Sequence, residues 1–273
     1  MRFISEVLAK AWMRMSGFSH EPKLLILDSL LAPFQKGETP TFVKHIRAGL
    51  QKYEGSGGAG VLIFSGYVVF LAQCISQSNP NECIRRGATK RDKTDLTEGQ
   101  SYLNLSRDNN FFQSITKNTA NMFAENHATD SYQNILFSLL LYRQHTKSAY
   151  PRKITIITHE FKRKRFLDLH LPAIGILPMS MSKIDVNFVG INPPEYITPV
   201  AGLVKGEEKR GPGLWKDDLY GKGEVLSWKR RGRGWNQDEE EMVLEGEENE
   251  VVKRLVKWQR AGPFPEMDDL PWV

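Results

Sequence analysis

Short apolar runs alternate with longer amphipathic stretches along this chain, and the alternation predicts an α/β fold. Lys23–Leu27, Val61–Phe64, Asn121–Ala124, Ile154–Thr158 and Asp185–Gly190 each have strand length and are bounded by Pro, Gly or charge. Between them the apolar positions recur at helical spacing. Thr41 is placed to cap a helix over Phe42–Tyr53, with Phe42, Val43, Ile46 and Leu50 on one face. Thr97 is placed to cap a second, with Glu98 in its first turn, where the helix dipole favours a carboxylate. Asp130 or Ser131 opens a third, reaching about His145 with Ile135, Leu136, Leu139, Leu140 and Tyr142 as its stripe.

The stretch Lys153 to Phe166, KITIITHEFKRKRF, organises the rest. It predicts a buried strand running into a helix that begins near Phe161. Ligands of α/β proteins sit at the carboxyl ends of such strands. That end carries His159, whose imidazole titrates near neutrality and makes it an acid–base candidate as well as an ordinary structural histidine. Behind it lie Lys162, Arg163 and Arg165. The basic run fits a solvated helix face, an import signal or a clamp for phosphate or carboxylate. The strand Val61–Phe64 likewise ends in Ser65-Gly66, a small pair suited to close approach by a ligand.

Composition narrows the classes. Lys and Arg number 37 against 32 Asp and Glu, and an excess this small argues against a nucleic-acid partner. Cys74 and Cys83 are too few for a disulfide scaffold or a four-cysteine metal site. His159-Glu160 begins an HExxH pattern, but Arg163 stands where the second His belongs, so no metal site is expected. GxSxG and GxxxxGK[ST] are missing. Gly55–Gly60 matches GxGxxG yet follows a helix and precedes a strand, the wrong order for a dinucleotide loop. The longest apolar run, Val61 to Cys74, falls short of the ~20 residues of a membrane span. The amphipathic N-terminus is interrupted by Glu6, Lys10 and Arg14, unlike a signal peptide. A cytoplasmic protein is expected. After about residue 200 the chain becomes rich in Gly, Trp and blocks of opposite charge, which predicts an irregular extension wrapping the core. The expected organisation is an N-terminal segment 1–22, a domain 23–200 and the extension 201–273.

The succession LIFSG, GATKRDKTDLTEGQSY, ATDSYQNILFSLLLYR, YPRKITIITHEFKRKRFLDLH and FVGINPPE, with GLWKDDLYG, KRRGRGW and MDDLPW later, resembles the fungal branch of the YdcF/SanA/ElyC-like family, a domain of unknown function. The resemblance covers most of the chain from about Leu30. It implies a Rossmann-like three-layer α/β/α fold with a mostly parallel sheet. It also implies a nucleotide-like or phosphorylated ligand, with S-adenosylmethionine as a candidate cofactor. Its site would fall on Ser65 and Gly66, on Thr97 and Glu98, on Asp130, Ser131 and Asn134, and on Arg165. Gly87 enters because the family's second turn glycine is replaced by Tyr67 and the pattern resumes at Gly87, so that Tyr67 to Arg86 is a 20-residue insertion. The insertion is in frame and unlike its surroundings, as a retained intron would be, and it divides the backbone nest that would hold an anion. A His-containing loop expected after the first strand is missing too. Glu98 and His159 are the catalytic candidates. Three classes follow: an enzyme acting on a small anionic substrate, a ligand binder, and an interaction scaffold using the Trp-rich tail.

Overall fold

The β-branched and aromatic runs assemble into one five-stranded sheet in this computed structural model, which describes residues 37–66, 68–73, 96–114, 119–147, 150–177, 183–210, 212–260 and 262–273. The strands are β1 (Val61–Ser65), β2 (Val68–Gln73), β3 (Met122–Glu125), β4 (Lys153–Thr158) and β5 (Asp185–Gly190), in the order β3-β1-β2-β4-β5. Pairs β1–β3 and β4–β5 are parallel. β2 is antiparallel to both β1 and β4. The sheet is therefore mixed, which corrects the expectation of a mostly parallel one. β1, β3, β4 and β5 still run the same way, so Ser65, Glu125, Thr158 and Gly190 end at a common edge.

The reversed strand, β2, falls within the stretch that the resemblance reads as an insertion. Ser65 pairs with Val68, so the chain reverses within two residues, the first of them Gly66. Gly66 takes φ +54°, which a two-residue hairpin connection requires and glycine adopts without penalty. The run VVFLAQ is apolar on alternate and intervening positions alike, as a strand covered on both faces must be. Val68, Phe70 and Ala72 enter one apolar cluster and Val69 and Leu71 the other. The expected first strand, Lys23–Leu27, both cysteines and Gly87 lie outside the described residues.

Helices cover both faces. α1 (Thr39–Gly55) and α2 (Glu98–Asp108) pack against Leu62, Phe64, Val69 and Leu71. α1 starts three residues earlier than expected and is headed by Glu38 rather than Thr41, because Pro40 sits in its first turn, where its missing N–H costs nothing. Gly99 in α2 lies so close to the strand ends that a Cβ there would fall 2.3 Å from the Phe64 carbonyl oxygen and 2.7 Å from that of Glu125. α3 (Ser131–Thr146) covers the opposite face, capped by Asp130, which accepts from Gln133 N at 3.0 Å.

The tail is helical rather than irregular. α4 (Val200–Arg210), α5 (Glu224–Gly232), α6 (Gln237–Val243) and α7 (Glu250–Val256) follow one another. Trp215, Leu226, Val243, Leu255 and Trp272 join the same apolar cluster as α3 and β4. Trp272 Nε1 donates to the Ile174 carbonyl at 2.7 Å, and Arg143 forks onto Glu247 at 2.8 and 3.1 Å. The tail thus buries apolar surface that α3 would otherwise expose.

Phe70 is fully buried in β2. Phe70→Ala should cost about 3–5 kcal/mol in urea unfolding, the range for removing a core aromatic. A loss below about 1 kcal/mol, the range of exposed positions, would place the strand outside the core.

Candidate functional site

The common edge of the sheet gathers polar groups from five segments. Ser65 closes β1 with its side chain fully buried, and its Oγ donates to Glu125 Oε2 at 2.6 Å and lies 3.2 Å from Asn134 Oδ1. Glu125 closes β3 and accepts also from the backbone N–H groups of His127 at 2.6 Å and Ala128 at 3.0 Å. Burial raises its pKa against the lowering influence of His127 and these donors. Gly66 touches the Asn134 amide: a Cβ there would stand 3.0 Å from its nitrogen. β1 and the first turn of α3 are in this way stitched together at the site.

On the other side of β1, Thr97 caps α2 by accepting from Gln100 N at 2.9 Å, and its hydroxyl bonds Asn126. Glu98 follows, half-buried. Its charge acts on Lys162, as do those of Arg165, Glu207 and Glu38. The half-buried ammonium of Lys162 has its pKa pulled down to about 8, by burial first and by Arg165 next. A lysine that loses its proton more readily folded than unfolded subtracts stability below about pH 8, and that loss is relieved as pH rises from there. Arg165 forms an ion pair with Glu207 of α4, Nε to Oε1 at 3.0 Å. Burial lowers its pKa while Glu207 and Asp130 raise it, and the guanidinium stays charged.

Past β4 the backbone is not a regular α-helix. A 3-10 turn spans Glu160–Lys162 and a π-helical turn spans Arg165–His170. The basic run divides accordingly. Arg163 turns outward, bonding Glu160 at 2.5 and 2.8 Å and lying over Phe188 at 4.6 Å, as a solvated face would. Lys162 and Arg165 turn inward instead: the charges of Glu98, Glu207 and Glu38 reach Lys162, and those of Glu207 and Asp130 reach Arg165.

His159 is not at the lip of the site. It is 1% exposed, with ring centres of His45 at 4.9 Å, Phe161 at 5.0 Å and Phe42 at 5.4 Å. Its Nε2 lies 3.5 Å from Glu38 Oε2, without a hydrogen bond between them. Burial, followed by the charges of Lys162 and Arg165, holds its pKa well below the usual value, so the ring is neutral at pH 7. His45 is equally neutral, chiefly from burial, and its Nε2 meets the Ile191 carbonyl at 2.9 Å. Glu38 is raised by burial and accepts from Thr198 Oγ1 at 2.8 Å.

Ser65, Gly66, Asn134, Asp130 and Ser131 are thus brought together around the start of α3, with Thr97, Glu98 and Arg165 joined to them through Asn126, Glu125, Lys162 and Asp130. Asp130 is taken up structurally, because Arg230 of the tail donates Nε to Oδ2 at 2.5 Å. Sequence reasoning missed Glu38, His45, Glu125, His170, Glu207 and Arg230. His45 interrupts an otherwise apolar helix face, a signal that was available. Glu207 and Arg230 come from a tail whose path the residues do not announce.

These features define an α/β protein with a polar, partly cationic site at the carboxyl edge of a mixed sheet. Among the described residues no helix is long and apolar enough to cross a membrane, and no group of three His, Cys, Asp or Glu is placed to hold a metal ion. The chain is similar to the uncharacterized protein YOR238W of Saccharomyces cerevisiae, 28% identical over 229 residues that cover 74% of this chain and 72% of that protein. No family model and no solved structure matches.

Arg230 is almost fully buried, so removing its partner strands a charge. Asp130→Ala should cost about 3–5 kcal/mol in urea unfolding by that argument. Asp130→Asn, which keeps the helix cap, should cost less. Equal losses for the two would mean that the cap contributes nothing, and losses below about 1 kcal/mol in both would mean that the charge pair contributes nothing.

Proposed function

We propose that this protein binds a small anionic ligand, nucleotide-like or phosphorylated, at the carboxyl ends of its sheet strands. The observation that carries this reading is the inward turn of Lys162 and Arg165, which brings Arg165 within reach of the charge of Asp130 at the start of α3, where Ser65 meets Asn134. Two cations beside a helix N-terminus favour a phosphate or carboxylate. Glu207, already paired with Arg165, would share that guanidinium with the ligand, and an arginine has donors enough for both. Glu98, half-buried at the start of α2, would meet a ribose hydroxyl. The fold reads as Rossmann-like and three-layered, supported by helices on both faces of a sheet with four co-directional strands. Membership of the YdcF/SanA/ElyC-like family, a cytoplasmic location and S-adenosylmethionine as the ligand belong to the same proposal and rest on the resemblance.

The hairpin at Gly66 bears on affinity. The chain returns at once into β2 instead of continuing as a glycine cradle, so side chains rather than backbone N–H groups carry the anion. A scaffold role for the tail is less well supported. Trp215 and Trp272 are spent inside the core, and Trp228 alone among the tail tryptophans is strongly exposed, at 69%.

Thermal melts with inorganic phosphate, ADP and S-adenosylmethionine test the reading. A ligand of the folded state raises the melting point by mass action. At least one of the three should do so, and Arg165→Gln should abolish the rise. The rise should shrink between pH 7 and 9, because Lys162 sheds its proton near 8 in the free protein and an anion beside it must restore that proton. No rise with any of the three at either pH would end the proposal.

A further inference from the structure

One pair of side chains at this edge stands in a relation that binding alone does not need. Ser131 Oγ lies 2.8 Å from His170 Nε2. His170 is fully buried, with ring centres of Trp215 at 4.5 Å, Phe166 at 5.5 Å and Tyr132 at 6.1 Å. Its Nδ1 has no hydrogen-bond partner. The imidazole is held by aromatic packing, and among the described residues the serine hydroxyl is its one hydrogen-bond partner.

The backbone explains how the pair forms. In an α-helix, neighbours on one face are three or four residues apart. The π-helical turn Arg165–His170 bonds five apart and carries both of its end residues toward the start of α3. His170 meets Ser131 there, and the charge of Arg165 reaches both His170 and Asp130. Ser131 is half-buried and opens a 16-residue helix, whose N-terminal dipole favours negative charge developing beside it. Burial, and then Arg165 and Arg230, keep the imidazole neutral at pH 7, the form that can accept a proton.

We propose that Ser131 is a nucleophile and His170 its general base, acting on the phosphoryl group of a phosphate ester. The inference rests on the anion-binding reading and adds a reaction to it. Ser131 Oγ attacks phosphorus, and its proton passes to His170 Nε2. The bond from phosphorus to the leaving oxygen breaks, and that oxygen takes the proton from Nε2. A water molecule then attacks phosphorus and gives its proton to Nε2; the bond from phosphorus to Oγ breaks, Oγ takes that proton from Nε2, and inorganic phosphate leaves with the serine hydroxyl and the neutral imidazole restored. Arg165 offsets the charge that builds on the phosphoryl oxygens.

The full chain treated with an alkyl fluorophosphonate gives the test. Ser131 Oγ would bond to phosphorus, fluoride would leave, and the proton would go to His170. Intact mass should show one adduct, peptide mapping should place it on Ser131, and folded Ser131→Ala should show none. His170→Gln should slow labelling about 100-fold, within the range of general-base catalysis. If that variant fails to fold, the wild-type rate decides: it should fall in acid, where the imidazole is protonated. No adduct on folded wild type, an adduct that persists in Ser131→Ala, or a rate indifferent to His170 and to acid would each overturn the pair. A phosphate-induced rise in melting point without an adduct ends the pair and spares the binding site. An adduct without any such rise ends the binding site and spares the pair.

Discussion

Everything at the candidate site depends on β2. The parallel pairs β3–β1 and β4–β5 touch through this strand, and it is antiparallel to both of its neighbours. A strand reversed between two others leaves those two parallel to each other. That is why Ser65 and Glu125 on one side, and Thr158 with Lys162 and Arg165 on the other, share an edge. Five consecutive buried residues, Val68 to Ala72, supply the cohesion, with apolar side chains passing to both clusters. A central strand of this kind adds ladder hydrogen bonds on both sides and apolar burial on both faces.

The tail depends on the same layer. α3 presents Tyr132, Phe137 and Leu140 on a face that the sheet alone does not cover, and the tail helices close over it. Charges complete the closure at four points: Arg230 on Asp130, Glu207 on Arg165, Glu247 on Arg143 and Glu239 on His127 at 2.9 Å. Two of the four fall on residues of the candidate site. The tail is therefore coupled to the site electrostatically, and the site's cations are set partly by residues some 40 to 100 positions away in sequence.

Much of this was legible beforehand. The β-branched runs gave the strands, and Thr97 and Asp130 gave the helix starts, because capping is local chemistry. The meeting of Ser65 and Asn134 was expected from the end of β1 and the start of the third helix. β2 itself was not legible: Val68–Gln73 stands in the stretch that reads as an insertion, and a strand that turns back within two residues is not among the expected elements. The Ser131–His170 contact was hidden for a different reason. It needs a π-helical turn, and helical spacing places His170 on another face. The resemblance singled out Arg165 from the basic run, and in the fold Phe188 beneath Arg163 and Glu207 beside Arg165 separate the two. His159 drew attention by position at the end of β4, yet its neighbours are aromatic and it stays within the core.

Hydrogen–deuterium exchange across Val68–Gln73 tests the central claim most directly. If β2 is the middle strand, its amides exchange as slowly as those of β1 and β4, through the same global opening. Exchange at the rate of an exposed loop, with β1 and β4 still protected, would contradict it. The shared edge would then lose its basis.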